Sequence, residues 1–232
     1  MTDEQKQGRV DCCNEWIESA QDPHFRERVI TEDKAWIYEY DPETKRQSEE
    51  WKHPGSPRTK KVRKSCSKIK TMLIVFFDIR GVVHHEYVPP GQTVNAIFHV
   101  EVLKRLHEHV RRARPELWAE NTWIVHQDNA PSQTTLVTHK FLTKNKITTM
   151  GHPPYLPDLA PCDFYLFPKA KNIMPCEHFV DVDTIKRETT KPLKELTKKD
   201  MQHCFQEWEK CWTKSILSGG KYLEGDHIPV SE

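Results

Sequence analysis

An α/β fold, a mixed five-stranded sheet flanked by helices, is what the sequence predicts, and three features predict it. The most apolar run of the chain, residues 71–78, has the length and the β-branched and aromatic content of a strand buried on both faces. Arg80-Gly81 turns that run back into residues 82–88, an antiparallel partner. Beyond this hairpin, helix-like and strand-like segments alternate, a pattern that argues for a sheet of mixed strand direction covered by helices.

From the N-terminus, Thr2 and Gln5 read as a capping box that opens a helix to about Ala20, with Val10, Cys13, Ile17 and Ala20 as its apolar stripe. Asp22-Pro23 ends it. Residues 28–33 read as a short strand closing at Asp33, continued or restarted by Trp36-Ile37-Tyr38. Pro42, Pro54, Gly55 and Pro57 then interrupt regular structure, and a basic cluster follows: Arg58, Lys60, Lys61, Arg63, Lys64, Lys68 and Lys70. An insertion over 41–70 with this composition reads as a basic arm able to lie along phosphates. The chain thus divides into an N-terminal helix over 1–22 and one domain over 23–232 that carries the insertion.

His84-His85 is not a metal pair on this reading, because adjacent strand residues face opposite sides of a sheet. Residues 93–112 form a helix with Val100, Leu103, Leu106 and Val110 on its core face, broken by Pro115. Residues 123–127 form a strand ending at Asp128. A helix opens at Pro131-Ser132 with Leu136, Val137, Phe141 and Leu142 turned inward, and 147–150 is another short strand. A proline-rich loop over 153–161 leads through Pro161 into a helix reaching Phe167. Two more helices cover 181–196 and 199–217. On the last, Met201, Cys204, Phe205, Trp208, Cys211 and Trp212 read as core rather than as a base-stacking platform.

Composition excludes several function classes. The formal net charge is +1 with 30% charged residues, so a polyanionic partner has to be met by a local cluster. The polar opening Met1-Thr2-Asp3-Glu4 predicts no signal peptide, and no run has the length of a membrane span, so no membrane partner is expected. The seven cysteines are irregularly spaced without a C-x-x-C, which predicts reduced thiols rather than disulfides or zinc; Cys176-Glu177-His178 is the nearest approach to a zinc motif.

The chemistry-bearing residues are three aspartates. Asp33 and Asp128 close apolar segments, and Asp163 follows the proline-rich loop. Phosphodiester chemistry needs charge stabilisation on the attacking and leaving oxygens, which two divalent ions roughly 3.5–4 Å apart supply. Mg²⁺ takes oxygen ligands and retains waters, so a few short carboxylates on rigid elements suffice. Spacing alone leaves Asp158 open as an alternative third ligand, since an aspartate after Pro157 also makes an ordinary turn.

The segments Thr31-Glu32-Asp33-Lys34-Ala35-Trp36, His126-Gln127-Asp128-Asn129-Ala130-Pro131-Ser132 and Pro153-Pro154-Tyr155-Leu156-Pro157-Asp158-Leu159-Ala160-Pro161-Cys162-Asp163 closely resemble the catalytic motifs of mariner-type transposases of the Tc1/mariner superfamily. Tyr40-Asp41-Pro42-Glu43-Thr44-Lys45, Pro89-Pro90-Gly91-Gln92-Thr93-Val94-Asn95 and Ser218-Gly219-Gly220-Lys221-Tyr222 extend the resemblance over nearly the whole chain. It implies an RNase H-like fold with an Asp, Asp, 34-residue, Asp triad. The gap of 34 residues between Asp128 and Asp163 matches and selects Asp163 over Asp158. The resemblance further implies a two-ion Mg²⁺ or Mn²⁺ site on Asp33, Asp128 and Asp163. It implies cleavage of DNA at transposon ends with strand transfer to TA-containing target DNA, a homodimer, and a nuclear location. The insertion then corresponds to the family's loop toward a partner subunit and DNA.

No helix-turn-helix region fits before Asp33, so the chain is expected to begin near the family's catalytic domain, with residues 1–22 as the end of an interdomain linker. It resembles in this respect the transposase part of SET–mariner fusion proteins, but no methyltransferase domain accompanies it. The family's Thr-Gly-Asp-Glu reads Thr31-Glu32-Asp33-Lys34 here, its second motif ends in Gln133 rather than His, and Tyr-Ser-Pro-Asp reads Tyr155-Leu156-Pro157-Asp158. Lys34 is expected to compete with a divalent ion or to pair with Asp33. The alternative to a working nuclease is a DNA-binding or dimerisation module that has kept the fold without the chemistry.

Overall fold

The computed structural model describes residues 1–38, 69–152, 156–173 and 181–222. Its centre is a five-stranded sheet in the order β3-β2-β1-β4-β5. The strands are β1 (Val29–Tyr38), β2 (Lys70–Asp78), β3 (Gly81–Tyr87), β4 (Ile124–His126) and β5 (Thr148–Met150). β1 pairs antiparallel with β2 and parallel with β4, and β4 pairs parallel with β5, so the sheet is mixed as expected. A register shift at Phe76/Phe77 marks a bulge opposite β3.

β1 takes the continued form of the two left open by the sequence and corrects the position of Asp33. It is one ten-residue strand, and Asp33 sits in its middle opposite Val75 rather than at its end. The charged stretch Glu32-Asp33-Lys34 hides this continuity in the sequence. The backbone stays extended because β2, which has an unbroken apolar run, pairs with it along its length.

Helices cover both faces. On one side lie α1 (Asp3–Ser19), α7 (Val182–Glu195) and α8 (Lys198–Leu217), together with a π-helical turn (Cys162–Leu166) that runs into α6 (Phe167–Ile173). Trp16, Val75, Phe77, Leu159, Phe205, Trp208 and Trp212 belong to this layer's core. On the other side α3 (Ala96–Ala113), α4 (Pro115–Glu120) and α5 (Leu136–Lys144) enclose Ile30, Ile74, Phe76, Leu103, Leu106 and Trp123. A four-residue helix α2 (Phe25–Arg28) precedes β1.

The capping box of α1 is present, but its buried face is Arg9, Cys13 and Trp16. Val10 is only partly buried and Ile17 is exposed, because Arg9 finds a buried carboxylate partner and takes a core position. α3 starts at Ala96, three residues later than expected, because the Asn95 side chain caps it by accepting from Phe98 N. Its stripe of Val100, Leu103, Leu106 and Val110 is buried as expected.

α5 starts at Leu136, capped by Thr135, rather than at Pro131. That shift rotates the helix so that Thr138 and Leu142 face inward, while Leu136 and Val137 are 68% and 51% exposed. α8 buries all six of its expected core side chains, and Trp208 Nε1 donates to Leu159 O at 2.7 Å. His84 stacks on Phe76 toward α3, whereas His85 contacts Tyr87 on the opposite face, so the two histidines diverge. Cys176-Glu177-His178 lies outside the described residues. Among the described residues no helix is long and apolar enough to cross a membrane.

Candidate active site

The sheet itself brings the first two aspartates together. Thr31 of β1 lies opposite His126 of the parallel strand β4. Two residues further along each chain are Asp33, within β1, and Asp128, in the loop that leaves the end of β4, and the Asp128 charge acts on Asp33. Asp163 arrives on the π-helical turn, which packs against β1, and its backbone N–H donates to Ala160 O. The Asp33 and Asp163 carboxyls are neighbours whose charges act on each other. The backbone N–H of Lys34 donates to Asp33 Oδ1 at 2.6 Å.

Asp158, the competing third aspartate, is turned elsewhere. Its two oxygens accept from Arg9 Nη1 at 3.0 Å and Nη2 at 2.6 Å, in a pair whose side chains are 0% and 8% exposed. This bidentate pair ties α1 to the turn that precedes Asp163.

Lys34 departs from expectation in its partner. Its main chain serves Asp33, but its ammonium lies 3.4 Å from Asp128 Oδ1. Glu32, where the family motif has glycine, points to the opposite face of β1 and is buried beside His99, with Oε1 3.6 Å from Nδ1. Neither carboxylate oxygen of Glu32 nor either ring nitrogen of His99 makes a hydrogen bond among the described residues. Gln133 is also buried; its Oε1 accepts from Ala130 N at 3.2 Å and thereby braces the loop after Asp128.

Of the basic cluster, Arg58, Lys60, Lys61, Arg63, Lys64 and Lys68 lie outside the described residues. Lys70 corrects the expected boundary: it is the first residue of β2, paired with Tyr38, and its ammonium sits 4.1 Å over the Trp36 ring. The attraction of a cation for a ring face holds it there.

Electrostatics mark the acid pair. Burial and the neighbouring Asp163 charge push the Asp33 carboxyl up to about 8, against the opposing Lys34 backbone hydrogen bond. Burial and the Asp128 charge raise Asp163 as well. Two neighbouring carboxyls, here one half-buried and one exposed, favour a shared proton or a cation between them. Such a pair, with Asp128 close enough for its charge to act on Asp33, offers the oxygen donors that a hard divalent ion takes. As placed, no three His, Cys, Asp or Glu side chains among the described residues close around one point, and Asp128 is held by Lys34. Carboxylate oxygens are the donors that a hard divalent ion takes, and the Lys34 ammonium occupies one of them.

The acid pair predicts a pH dependence of stability. Between about pH 4 and pH 8 the folded domain holds a proton on Asp33 that the unfolded chain releases. This contribution is therefore complete at low pH and is lost as pH rises toward 8. Burial also keeps His126 and His152 below the usual histidine range, and their contributions run the other way, lost as pH falls. The difference between wild type and Asp33→Asn isolates the acid. That difference in unfolding free energy should shift against the wild type by up to about 1.4 kcal/mol per pH unit across this window. Urea melts at several pH values would show it; a pH-independent difference would mean that Asp33 is ionised throughout.

Sequence reasoning missed two of these residues and the partner of a third. Arg9 signalled itself only as a charged side chain in step with Cys13 and Trp16, at the i, i+4, i+7 spacing of a buried face. His152 stood in a Met150-Gly151-His152-Pro153 loop without a visible partner. Lys34 was noticed, but a flexible four-carbon stem does not reveal which of two carboxylates it reaches.

Comparison with known proteins gives concordant results. The family model described as Transposase (partial DDE domain) matches residues 41–120. The Mariner Mos1 transposase of Drosophila mauritiana is 28% identical over 229 residues, which is 97% of this chain and 64% of that relative. The chain thus spans about two thirds of the relative's length. The crystal structure of the catalytic domain of Mos1 mariner transposase superposes with a TM-score of 0.80 at 26% identity, covering 97% of this chain and 98% of that one. The Mos1 mariner paired end complex with Mn gives a TM-score of 0.86 at 28% identity, covering 96% and 64%. The described sheet and helices are those of the RNase H-like fold of that catalytic domain.

Proposed function

We propose that the chain is a mariner-type transposase domain, as its likeness to the Mos1 transposase and to that protein's catalytic domain supports, and that it is a metal-dependent nuclease and strand-transfer domain acting on DNA. The observation that carries this reading is the meeting of Asp33 and Asp163 as an acid pair, with Asp128 two residues beyond the end of the neighbouring strand and close enough for its charge to act on Asp33. Asp33, Asp128 and Asp163 would hold two Mg²⁺ or Mn²⁺ ions, in keeping with the Mn-containing Mos1 complex. When bound, such ions stabilise charge on the attacking and leaving oxygens of the phosphodiester. The chain's own contribution is to fix three short carboxylates, one within a strand, one just past the end of the neighbouring strand and one on a packed helical turn.

In this proposal the substrate is transposon-end DNA, the target is TA-containing DNA, and two copies of the chain act together, as the paired end complex of the relative supports. The basic segment from Arg58 to Lys68 would lie along phosphates, and the working location is the nucleus, where that DNA is found.

The Lys34 contact with Asp128 favours a second reading, a module that binds DNA and cuts it weakly or not at all. One assay separates the two: Mn²⁺-dependent nicking of supercoiled plasmid and of a pre-cleaved end duplex by the wild type, Asp128→Ala and Lys34→Glu. The nuclease reading expects nicking by the wild type and none by Asp128→Ala. It also expects about a tenfold lower Mn²⁺ requirement for Lys34→Glu, because a competing cation is replaced by a carboxylate beside the site. Salt-sensitive DNA binding without nicking in the wild type and Lys34→Glu would select the binding module.

A further inference from the structure

A chain of buried hydrogen bonds runs beneath the three aspartates. Thr31 Oγ1 and His126 Nδ1 are 2.9 Å apart. His126 Nε2 and His152 Nδ1 are 3.1 Å apart. His152 Nε2 lies 3.0 Å from Leu156 O. All three side chains are buried.

Elementary hydrogen-bond chemistry sets the direction of every link. A carbonyl oxygen only accepts, so His152 Nε2 carries a hydrogen and donates to Leu156 O. The Nδ1 of that neutral ring is then an acceptor, and His126 Nε2–H donates to it. His126 Nδ1 is left as an acceptor and takes the Thr31 hydroxyl hydrogen. Neither ring changes tautomer without setting two donors or two lone pairs face to face. Because one end is a backbone carbonyl, the order is determined along the whole chain.

The placement of this chain matters more than its length. Thr31 is two residues before Asp33 and on the same face of β1. His126 is two residues before Asp128 and lies opposite Thr31 in the parallel pairing. Leu156 precedes the turn at Pro157–Leu159, from which the backbone runs to Asp163. Each of the three segments that bears a candidate ligand is therefore tied to the other two. Aromatic walls fix the rings: Trp16 meets His126 edge-on at 5.5 Å and stacks on His152 at 5.9 Å, and Trp208 lies 4.8 Å from His126. Thr31 and His126 are almost completely enclosed behind these walls.

We propose that Thr31, His126 and His152 are positioning residues of the carboxylate site, setting the spacing of Asp33, Asp128 and the Asp163 segment through a hydrogen-bond chain of fixed direction. The proposal rests on the metal-site reading above. A core that needed only filling would accept phenylalanine at 126 or valine at 31, since both keep volume and ring or branch shape. A positioning chain does not, because each replacement leaves a neighbour unpaired and frees one strand to shift against the next.

The test is Mn²⁺ affinity of the full chain, read by titration of the electron paramagnetic resonance of free Mn²⁺, with near-ultraviolet circular dichroism as the control for folding. Thr31→Val and His126→Phe should bind Mn²⁺ about 10–100-fold more weakly while remaining folded. Thr31→Ser, which restores the hydroxyl donor, should bind within a few-fold of wild type. Asp128→Ala serves as the reference. If Asp128→Ala weakens Mn²⁺ binding and the folded Thr31→Val and His126→Phe do not, the positioning role is wrong and the metal site stands. If Asp128→Ala leaves binding unchanged, the metal-site reading falls and this inference falls with it. Should the substituted chains not fold, the wild type still decides the matter. Its ¹⁵N histidine spectrum should show both rings neutral and protonated at Nε2, and an Nδ1–H signature at either ring overturns the proposed chain.

Discussion

Alanine at position 9 should destabilise the domain by about 3–5 kcal/mol, the cost of leaving one member of a buried ion pair without the other. Arg9 is fully buried, binds both oxygens of Asp158, and its Nη2 also lies 3.4 Å from Lys221 O. It therefore joins α1, the turn before Asp163 and the segment after α8. A loss of this size is a large part of a typical domain stability of about 5–15 kcal/mol, so the variant should melt at much lower urea. Asp158→Ala should behave alike, whereas replacing both partners with Met and Leu should recover most of the loss, since the desolvation cost disappears with the charges. A change below about 1 kcal/mol in Arg9→Ala would show that the pair is open to water in solution.

The second large effect separates the two aspartates of the proline-rich segment. Asp163→Ala should reduce Mn²⁺-dependent cleavage by about two orders of magnitude or more, because bound metal contributes several kcal/mol to the transition state and each ~1.4 kcal/mol is tenfold in rate. Its metal-free stability should be equal to or above that of the wild type, since Asp33 loses a repelling neighbour. Asp158→Ala should show the reverse, a weakened fold with cleavage per folded molecule retained. Cleavage lost in Asp158→Ala at conditions where it is folded, and retained in Asp163→Ala, would exchange the two roles.

The contrast between these residues shows what was readable in the chain. β2, α3 and α8 were legible because each has a period or an apolar run that tertiary context does not need to complete. The family motifs and the 34-residue gap singled out Asp163, and the Arg9 pairing of Asp158 supplies the physical reason for the difference. α2 and α4, of four and six residues, were illegible because neither is long enough to display a stripe. The face of α5 was misread because its start depends on whether Pro131 or Thr135 caps it, and one helical turn moves Leu136 from core to solvent. The residues alone leave open whether β1 continues past Glu32-Asp33-Lys34 or restarts there, because its continuity resides in its partners. Lys34 with Asp128 and His126 with His152 are contacts between distant segments, 94 and 26 residues apart, and no local pattern encodes them.

Glu32 is a cost that the fold carries without return in the described structure. It buries two unbonded carboxylate oxygens against an unbonded His99, on the face of β1 away from the acid pair. Its effect falls on stability rather than on the site, while Lys34 acts directly on Asp128. The two departures of the first motif are therefore physically separable.

The most direct measurement of the central claim is the anomalous diffraction of crystals of this chain soaked in Mn²⁺. Two peaks about 3.5–4 Å apart, ligated by Asp33, Asp128 and Asp163 with the Lys34 ammonium displaced from Asp128, are the predicted result. Manganese bound through Asp158 instead, or no manganese at the three carboxylates with Lys34 still seated on Asp128 at saturating Mn²⁺, would contradict it.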